Sequence, residues 1–199
     1  MKRLIFTLLV FLAAPLAAQA ADSEGRFAIK GAGLGTCESF TKARAEKSNA
    51  YYVFGGWLDG YMTAVNQLTD DTFDMRPWES TELLLFLIDN HCKKNPKGNF
   101  FRIVNTIRVL LQDDRLRQAS AVVEARVDDK MVRLYRETMR RVQTALTNRD
   151  RYQGAIDGSY GPMTRNAIEA FQADENIPVT GLPDQLTLLR LLRPRPKAE

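Results

Sequence analysis

Glycine and proline interrupt the last third of the chain at short intervals, and this spacing limits the length of the helices there. Gly154 and Gly158 bracket a turn, Gly161-Pro162 follows closely, and Gly181 comes later. Both residue types disfavour helix interiors, but proline is tolerated at the first helical position, where its missing N–H has no helical partner. The segment therefore predicts three short helices separated by turns.

The apolar residues of this segment recur at the spacing of one helical face. The predicted inward-facing positions are Met139, Val142, Ala145, Leu146, Ala167, Ile168, Ala170 and Phe171. We also expect Ile177, Val179 and Leu182 to pack beneath the last loop. Asp184 is a suitable N-cap for a final helix that ends near Leu192.

The same segment contains a distinctive string of residues. It reads Gly154-Ala155-Ile156-Asp157-Gly158-Ser159-Tyr160-Gly161-Pro162-Met163-Thr164-Arg165, followed by Phe171-Gln172 and Val179-Thr180-Gly181. This pattern resembles the small peptidoglycan-binding module of bacterial cell-wall proteins. The resemblance covers about residues 135–192. It implies a three-helix module whose partner is the murein of the envelope.

We expect the contact surface in the groove between the glycine loop and the second helix of this module. The side chains predicted to reach it are Tyr152, Gln153, Ser159, Tyr160 and Arg165. Aromatic rings suit sugar faces, and the arginine fork suits the carboxylates of peptidoglycan stem peptides. An ordinary surface role stays open for each residue, with Tyr160 partly in the core.

Asp157 is a further candidate for ligand contact. The interpretation that we favour is structural: its carboxylate accepts hydrogen bonds from nearby backbone N–H groups and orders the glycine loop. A single carboxylate is too few for calcium, which takes six to eight oxygen ligands. The sequence therefore predicts no metal site and no cofactor.

The first twenty residues have the pattern of an export signal. Lys2 and Arg3 precede an apolar stretch, and Ala18-Gln19-Ala20 is a typical cleavage site. The apolar stretch is too short to span a bilayer, so we expect cleavage after Ala20 rather than a retained anchor. The mature chain is predicted to be a periplasmic protein that is not held in the membrane.

Charge argues against nucleic acid as a partner. Removal of Lys2 and Arg3 lowers the formal net charge from +4 to +2. Proteins that bind nucleic acid usually carry a clustered basic surface, which such a small surplus does not indicate.

Cys37 and Cys92 are the two cysteines of the chain. In an oxidising compartment an even pair usually forms a disulfide. A bridge between them stabilises the fold by roughly 4 kcal/mol in the chain-entropy model. A reactive thiol is the alternative, but no CxxC motif is present and the only histidine, His91, is the immediate neighbour of Cys92.

Residues 33–115 predict a four-helix domain stapled by this bridge. Its helices are expected from Cys37 to about Lys47 with Thr36 as cap, from about Asn49 to Leu68, from about Trp78 to Cys92, and in a fourth segment after Asn99. The predicted buried face of the second helix is Phe54, Trp57, Leu58, Tyr61, Val65 and Leu68, and that of the fourth is Phe100, Ile103, Val104, Ile107, Leu110 and Leu111. The cluster of Gly55, Gly56 and Gly60 predicts close approach of another backbone.

This domain resembles a group of small exported helical proteins. The resemblance rests on Gly35-Thr36-Cys37, on the aromatic-rich stretch from Tyr52 to Tyr61, and on the late cysteine Cys92. The proteins of this group look like the acid-stress chaperones of the HdeA type and the periplasmic immunity proteins of the Rap1a type. Function in those families lies in exposed surfaces, so the resemblance implies a protein partner in the envelope and assigns no functional residue.

The remaining segments are interpreted as connections. Residues 116–134 are predicted to be the linker between the two domains. The stretch 112–131 is charged and predicted to be partly helical, and Val132-Arg133-Leu134-Tyr135 is expected to be a short extended entry to the last module. Residues 193–199 are predicted to be a disordered tail. The fold class is therefore mainly all-α, with a four-helix disulfide domain followed by a three-helix module.

Catalysis is the competing hypothesis, because such modules often accompany wall hydrolases. Zinc enzymes of the wall usually need at least two histidines, and a serine triad needs one in a suitable place. His91 is the only histidine and adjoins the predicted bridge. A lysozyme-like enzyme would need a glutamate in a deep cleft, for which Glu38, Glu79 and Glu82 are the candidates. A domain this small offers little room for such a cleft, so we predict a protein without catalytic activity.

Overall fold

The computed structural model describes residues 21–193. The predicted export signal and residues 194–199 of the predicted tail lie outside the described residues. The fold is mainly helical and, within the described range, contains seven α-helices and a two-stranded sheet. None of these helices is both long enough and apolar enough to cross a membrane.

Residues 21–30 form neither helix nor strand. Asp22 organises their turn, since its carboxylate accepts hydrogen bonds from the backbone N–H groups of Glu24 and Arg26 at 3.0 and 2.8 Å. It also pairs with the guanidinium of Arg26 at 3.0 Å.

Four helices follow a 3-10 turn at Gly31–Leu34. They are α1 (Cys37–Ala45), α2 (Asn49–Leu68), α3 (Thr81–Cys92) and α4 (Phe100–Leu111). The side chain of Thr36 caps α1, as predicted, by accepting from the N–H of Ser39. α3 begins later than predicted because Ser80 caps it. α1 ends before Lys47, whose φ of +48° is incompatible with a continuing helix.

The first hydrophobic core lies among these helices. Its fully buried side chains include Phe40, Leu58, Met62, Leu84, Ile88, Phe100 and Val104. The predicted disulfide is present, with an S–S distance of 2.02 Å between Cys37 at the start of α1 and Cys92 at the end of α3. The bridge therefore joins two helices inside the core.

Two predicted core residues are exposed instead. Leu68 is 76% exposed and Leu110 65% exposed, because each lies at the edge of its helix's buried face. Met62, which was not predicted, is buried in α2. The expectation of backbone packing at the glycines is also wrong: Gly56 and Gly60 face open space, and Gly55 is approached by a side chain.

A β-hairpin occupies most of the predicted linker. Strand β1 (Val122–Val127) pairs antiparallel with β2 (Lys130–Tyr135), and Asp128 adopts a φ of +52° in the turn between them. Ala125, Val127 and Leu134 are buried, so one side of the hairpin faces a core. The prediction of a partly helical linker is therefore wrong, although the predicted extended conformation of Val132 to Tyr135 is confirmed. The alternation of apolar and polar residues in β1 is the strand signal that was missed.

The carboxyl-terminal helices are α5 (Arg136–Thr147), α6 (Pro162–Asp174) and α7 (Gln185–Leu192). Pro162 lies in the first turn of α6, and Asp184 caps α7 by accepting from the N–H of Thr187, both as predicted. Ala170 and Val179 are exposed rather than buried. Three polar residues of α6 and α7 that were not predicted to face inward are buried: Thr164, Gln172 and Thr187.

A second hydrophobic core joins these helices to the hairpin. Its members include Ala125, Leu134, Met139, Val142, Leu146, Ile168, Phe171 and Leu188. Trp78, from the loop before α3, belongs to this second core, and its backbone carbonyl accepts from the Gln185 side chain at 2.7 Å. Arg193, assigned to a disordered tail, is held by Glu79 at 2.9 Å and by Asp114 at 3.1 Å.

Candidate functional site

A buried glutamine, Gln143 of α5, organises the glycine loop of the carboxyl-terminal module. Its side-chain carbonyl accepts from the backbone N–H of Gly158 at 2.8 Å. Its amide lies 3.0 Å from the carboxylate of Asp157 and 3.1 Å from the carbonyl oxygen of Ser159. Gly158 has a φ of +73°, and a Cβ there would lie 2.6 Å from the backbone oxygen of Arg136. Both its conformation and its surroundings therefore require glycine.

Gln172 of α6 organises the loop before α7 through similar hydrogen bonds. Its carbonyl accepts from the backbone N–H groups of Thr180 and Gly181 at 2.8 and 2.9 Å. Its amide donates to the carbonyl oxygen of Leu182 and the hydroxyl of Thr187 at 3.0 and 2.8 Å. Buried polar groups are costly unless they are paired, so these two networks fix both loops.

Asp157 has the structural contacts that we favoured from the sequence. Its carboxylate accepts from the backbone N–H of Ser159 at 2.8 Å and from the amide of Gln143 at 3.0 Å. The hydrogen bond from Gln143, followed by that from Ser159, lowers the pKa of Asp157. The group is therefore an anion that orders the loop at neutral pH.

The structure separates the remaining candidate residues. Tyr152 is only 6% exposed, and its hydroxyl donates to the carbonyl oxygen of Ala155 at 2.9 Å. Tyr152 is therefore a core residue. Its prediction as a ligand contact is wrong, because its ring and hydroxyl are enclosed by the module. Gln153 and Ser159 are exposed on the loop.

Tyr160 and Arg165 line a polar groove of about 520 Å³ between α6 and the β-hairpin. The α6 side is completed by Gly161, Pro162, Asn166 and Glu169, and the hairpin side by Glu124 and Arg126. The structure thus places a groove near the glycine loop, but its second wall comes from the segment that was predicted to be a linker. Glu124 and Arg126 were missed because nothing local in the sequence links β1 to α6.

The α6 side of this groove is held by direct contacts. The guanidinium Nε of Arg165 donates to Glu169 Oε1 at 2.8 Å. This bond raises the pKa of Arg165, and the negative charge of Asp128 in the hairpin turn adds to the effect. The hydroxyl of Tyr160 donates to the carbonyl oxygen of Gly181 at 2.7 Å, and burial raises the pKa of Tyr160. At neutral pH the α6 side of the groove therefore offers a neutral phenol and a guanidinium.

A second cavity, of about 270 Å³, lies between α3, α4 and the end of α7. Its lining is mostly apolar and includes Leu83, Leu87, Ile103, Ile107, Leu110 and Leu189. Glu79 is its one carboxylate, is 4% exposed, and is paired with Arg193. Burial raises the pKa of Glu79, against the opposing effect of Arg193.

The other two glutamates considered for catalysis lie elsewhere. Glu82 is bound by Arg44 and by the hydroxyl of Tyr51, and Glu38 is exposed on α1. Among residues 21–193 there is no cluster of three or more histidine, cysteine, aspartate or glutamate side chains arranged to hold a metal.

Comparison with known families identifies one segment of the chain. Residues 135–191 match the family described as "Putative peptidoglycan binding domain". No curated protein and no solved structure matches the chain. The match begins at the last residue of β2 and covers α5, α6 and all but the last residue of α7, together with both glutamine-ordered loops. The match supports a peptidoglycan-binding module in the carboxyl-terminal segment and the cell wall as its partner.

Proposed function

We propose that this protein is a non-catalytic, periplasmic peptidoglycan-binding protein. Its carboxyl-terminal module docks on murein, and the disulfide-bonded four-helix domain of residues 33–115 recognises another protein of the envelope. The family match over residues 135–191 is the observation that carries the proposal. The polar groove beside Tyr160 and Arg165 supports it, because it offers hydrogen-bonding and charged groups to a polymer of sugars and short peptides.

The sequence favours export, and the Cys37–Cys92 bridge agrees with an oxidising compartment such as the periplasm. A single module on a polymer with many repeats needs only weak affinity, because rebinding to neighbouring sites keeps the protein on the wall.

The chemistry of the largely apolar cavity supports the part of this proposal that the protein is not a catalyst. Most glycosidases act with two carboxylic residues that flank the scissile bond. Glu79 is the one carboxylate in that lining, and the guanidinium of Arg193 already binds it. The groove beside α6 has two carboxylates, Glu124 and Glu169, but each has an arginine beside it on its own element.

The test uses the mature chain from Ala21, purified with its disulfide intact and incubated with purified sacculi. The protein is expected to pellet with the sacculi and to stay in solution without them. Protein that remains in the supernatant in both samples would refute murein docking. Prolonged incubation is expected to release no soluble muropeptides. Release that is lost in Glu38→Gln, Glu79→Gln or Glu82→Gln would instead establish a hydrolase and locate its acid.

The apolar cavity beside α3 and α4 supports a protein partner for the helical domain, since Leu110 lines it while 65% exposed. Two kinds of partner can be separated by experiment. Inhibition of a wall-degrading toxin by the purified chain would favour an immunity protein. Suppression of aggregation of unrelated envelope proteins at low pH would favour a chaperone.

A further inference from the structure

Strand β1 lies outside the residues that match the peptidoglycan-binding family, yet it faces the same groove. The match starts at residue 135, whereas Glu124 and Arg126 line the groove together with Tyr160, Arg165 and Glu169. The groove is therefore not complete within the matched segment.

The hairpin presents these two side chains in a fixed way. Ala125 and Val127 alternate with them along β1 and are buried in the second core. Because successive side chains of a strand point to opposite faces, Glu124 and Arg126 must share the outer face. Anchoring by the buried neighbours holds β1 as a wall beside α6.

Each wall of the groove carries one arginine and one glutamate. On α6 the pair is Arg165 and Glu169, at 2.8 Å, and on β1 it is Arg126 and Glu124, at 3.6 Å. All four side chains are partly exposed, and exposed ion pairs contribute little stability. A ligand with charges of both signs can therefore replace these internal contacts at small cost.

We propose that β1 forms the second wall of the murein site, and that the groove takes a stem peptide bearing both a free carboxylate and a free ammonium group. Arg126 and Arg165 bind carboxylates from opposite walls, and Glu124 and Glu169 accept from the ammonium. This inference rests on the proposed docking to peptidoglycan.

The test compares two variants of the mature chain in sacculus pelleting. Arg126→Glu reverses a charge in the groove, and Lys130→Glu makes the same change of charge on the same hairpin outside the groove lining. Lys130 is an exposed residue of β2. Arg133 is not used as the control because it lies 3.7 Å from the carboxylate of Glu124. Loss of one charge-assisted contact predicts about tenfold weaker binding for Arg126→Glu and near wild-type binding for Lys130→Glu.

Modified sacculi test the ligand chemistry. Amidation of the stem-peptide carboxylates and, separately, acetylation of their amines should each weaken pelleting of the wild-type chain. Unchanged pelleting of acetylated sacculi would overturn the role of the two glutamates. Unchanged pelleting of amidated sacculi would overturn the role of the two arginines.

The outcomes separate this inference from the proposed function. If Arg126→Glu pellets like wild type while the wild-type chain binds, the hairpin wall is wrong and murein docking stands. Equal losses in Arg126→Glu and Lys130→Glu would indicate general charge attraction and would also overturn the wall. A wild-type chain that does not pellet refutes both.

Discussion

The side-chain carbonyl of Gln143 accepts a hydrogen bond from the backbone N–H of Gly158 at 2.8 Å, inside the carboxyl-terminal module. Gln143 is fully buried, and Gly158 is held at a positive φ that favours glycine. One helix thereby fixes the loop that leads to Tyr160 and the polar groove. The order of the loop depends on a polar contact in the core as much as on apolar packing.

Replacing Gln143 with leucine should destabilise the protein by about 1–3 kcal/mol, because the N–H of Gly158 and the other polar groups around it lose a buried partner. Chemical denaturation measures the change. Gln153→Ala is the control, since Gln153 is exposed on the same loop, and should alter stability by less than about 0.5 kcal/mol. Equal stability of the Gln143→Leu variant and wild type would contradict the role of this network.

Two glycine-to-alanine changes should have opposite signs. Gly158→Ala should destabilise by more than about 1 kcal/mol, because it places a Cβ at positive φ against the backbone of Arg136. Gly56→Ala should stabilise by about 0.5–1 kcal/mol, because Gly56 lies inside α2 and faces open space. Thermal unfolding of both variants checks this pair, and destabilisation by Gly56→Ala would reveal a packing role that the structure does not show.

Loss of the Cys37–Cys92 bridge should lower the free energy of unfolding by roughly 4 kcal/mol in the chain-entropy model. The comparison is between oxidised wild type and the Cys37→Ala/Cys92→Ala variant in urea. Mass spectrometry of the native protein, alkylated without reduction, should show no alkylatable thiol. Two alkylatable cysteines in the native protein would contradict a bridge formed in the cell.

Glu79→Gln should stabilise the protein at neutral pH relative to wild type. Burial raises the pKa of Glu79 above its usual 4.5, so the folded state binds the proton more tightly than the unfolded state. Wild-type stability from this group is therefore greatest below that value and declines as pH rises through the raised folded-state pKa. The advantage of the variant should grow from pH 4 to pH 7 in thermal unfolding. A difference that does not vary with pH would contradict the raised pKa.

Arg165→Glu should weaken sacculus pelleting without unfolding the module, because it replaces a carboxylate-binding group with a like charge. Arg151→Glu is the matched control. Arg151 is an exposed arginine of the same module, paired with Asp174 at 2.6 Å, and does not line the groove. Circular dichroism verifies the fold of both. Wild-type pelleting by Arg165→Glu would remove this residue from the site.

The sequence by itself determined the local structure. Periodic apolar residues predicted α2 with its observed bounds, Asn49–Leu68, and Pro162 and Asp184 marked the starts of α6 and α7. The cysteine pair predicted the bridge, and the glycine-rich string predicted the module that the family match identifies. Most of these features depend on neighbours within a few residues. The bridge could be predicted because two cysteines in an oxidising compartment can pair only with each other.

Only the tertiary structure decided which side chains share a surface. It buried Tyr152, Gln143 and Gln172, exposed Leu68 and Val179, and turned the presumed linker into a hairpin. It also brought Arg126 of β1 opposite Arg165 of α6 across one groove. Such pairings join residues far apart in the chain, and they are set by how whole elements pack to bury their apolar faces. No local pattern in the sequence encodes that geometry.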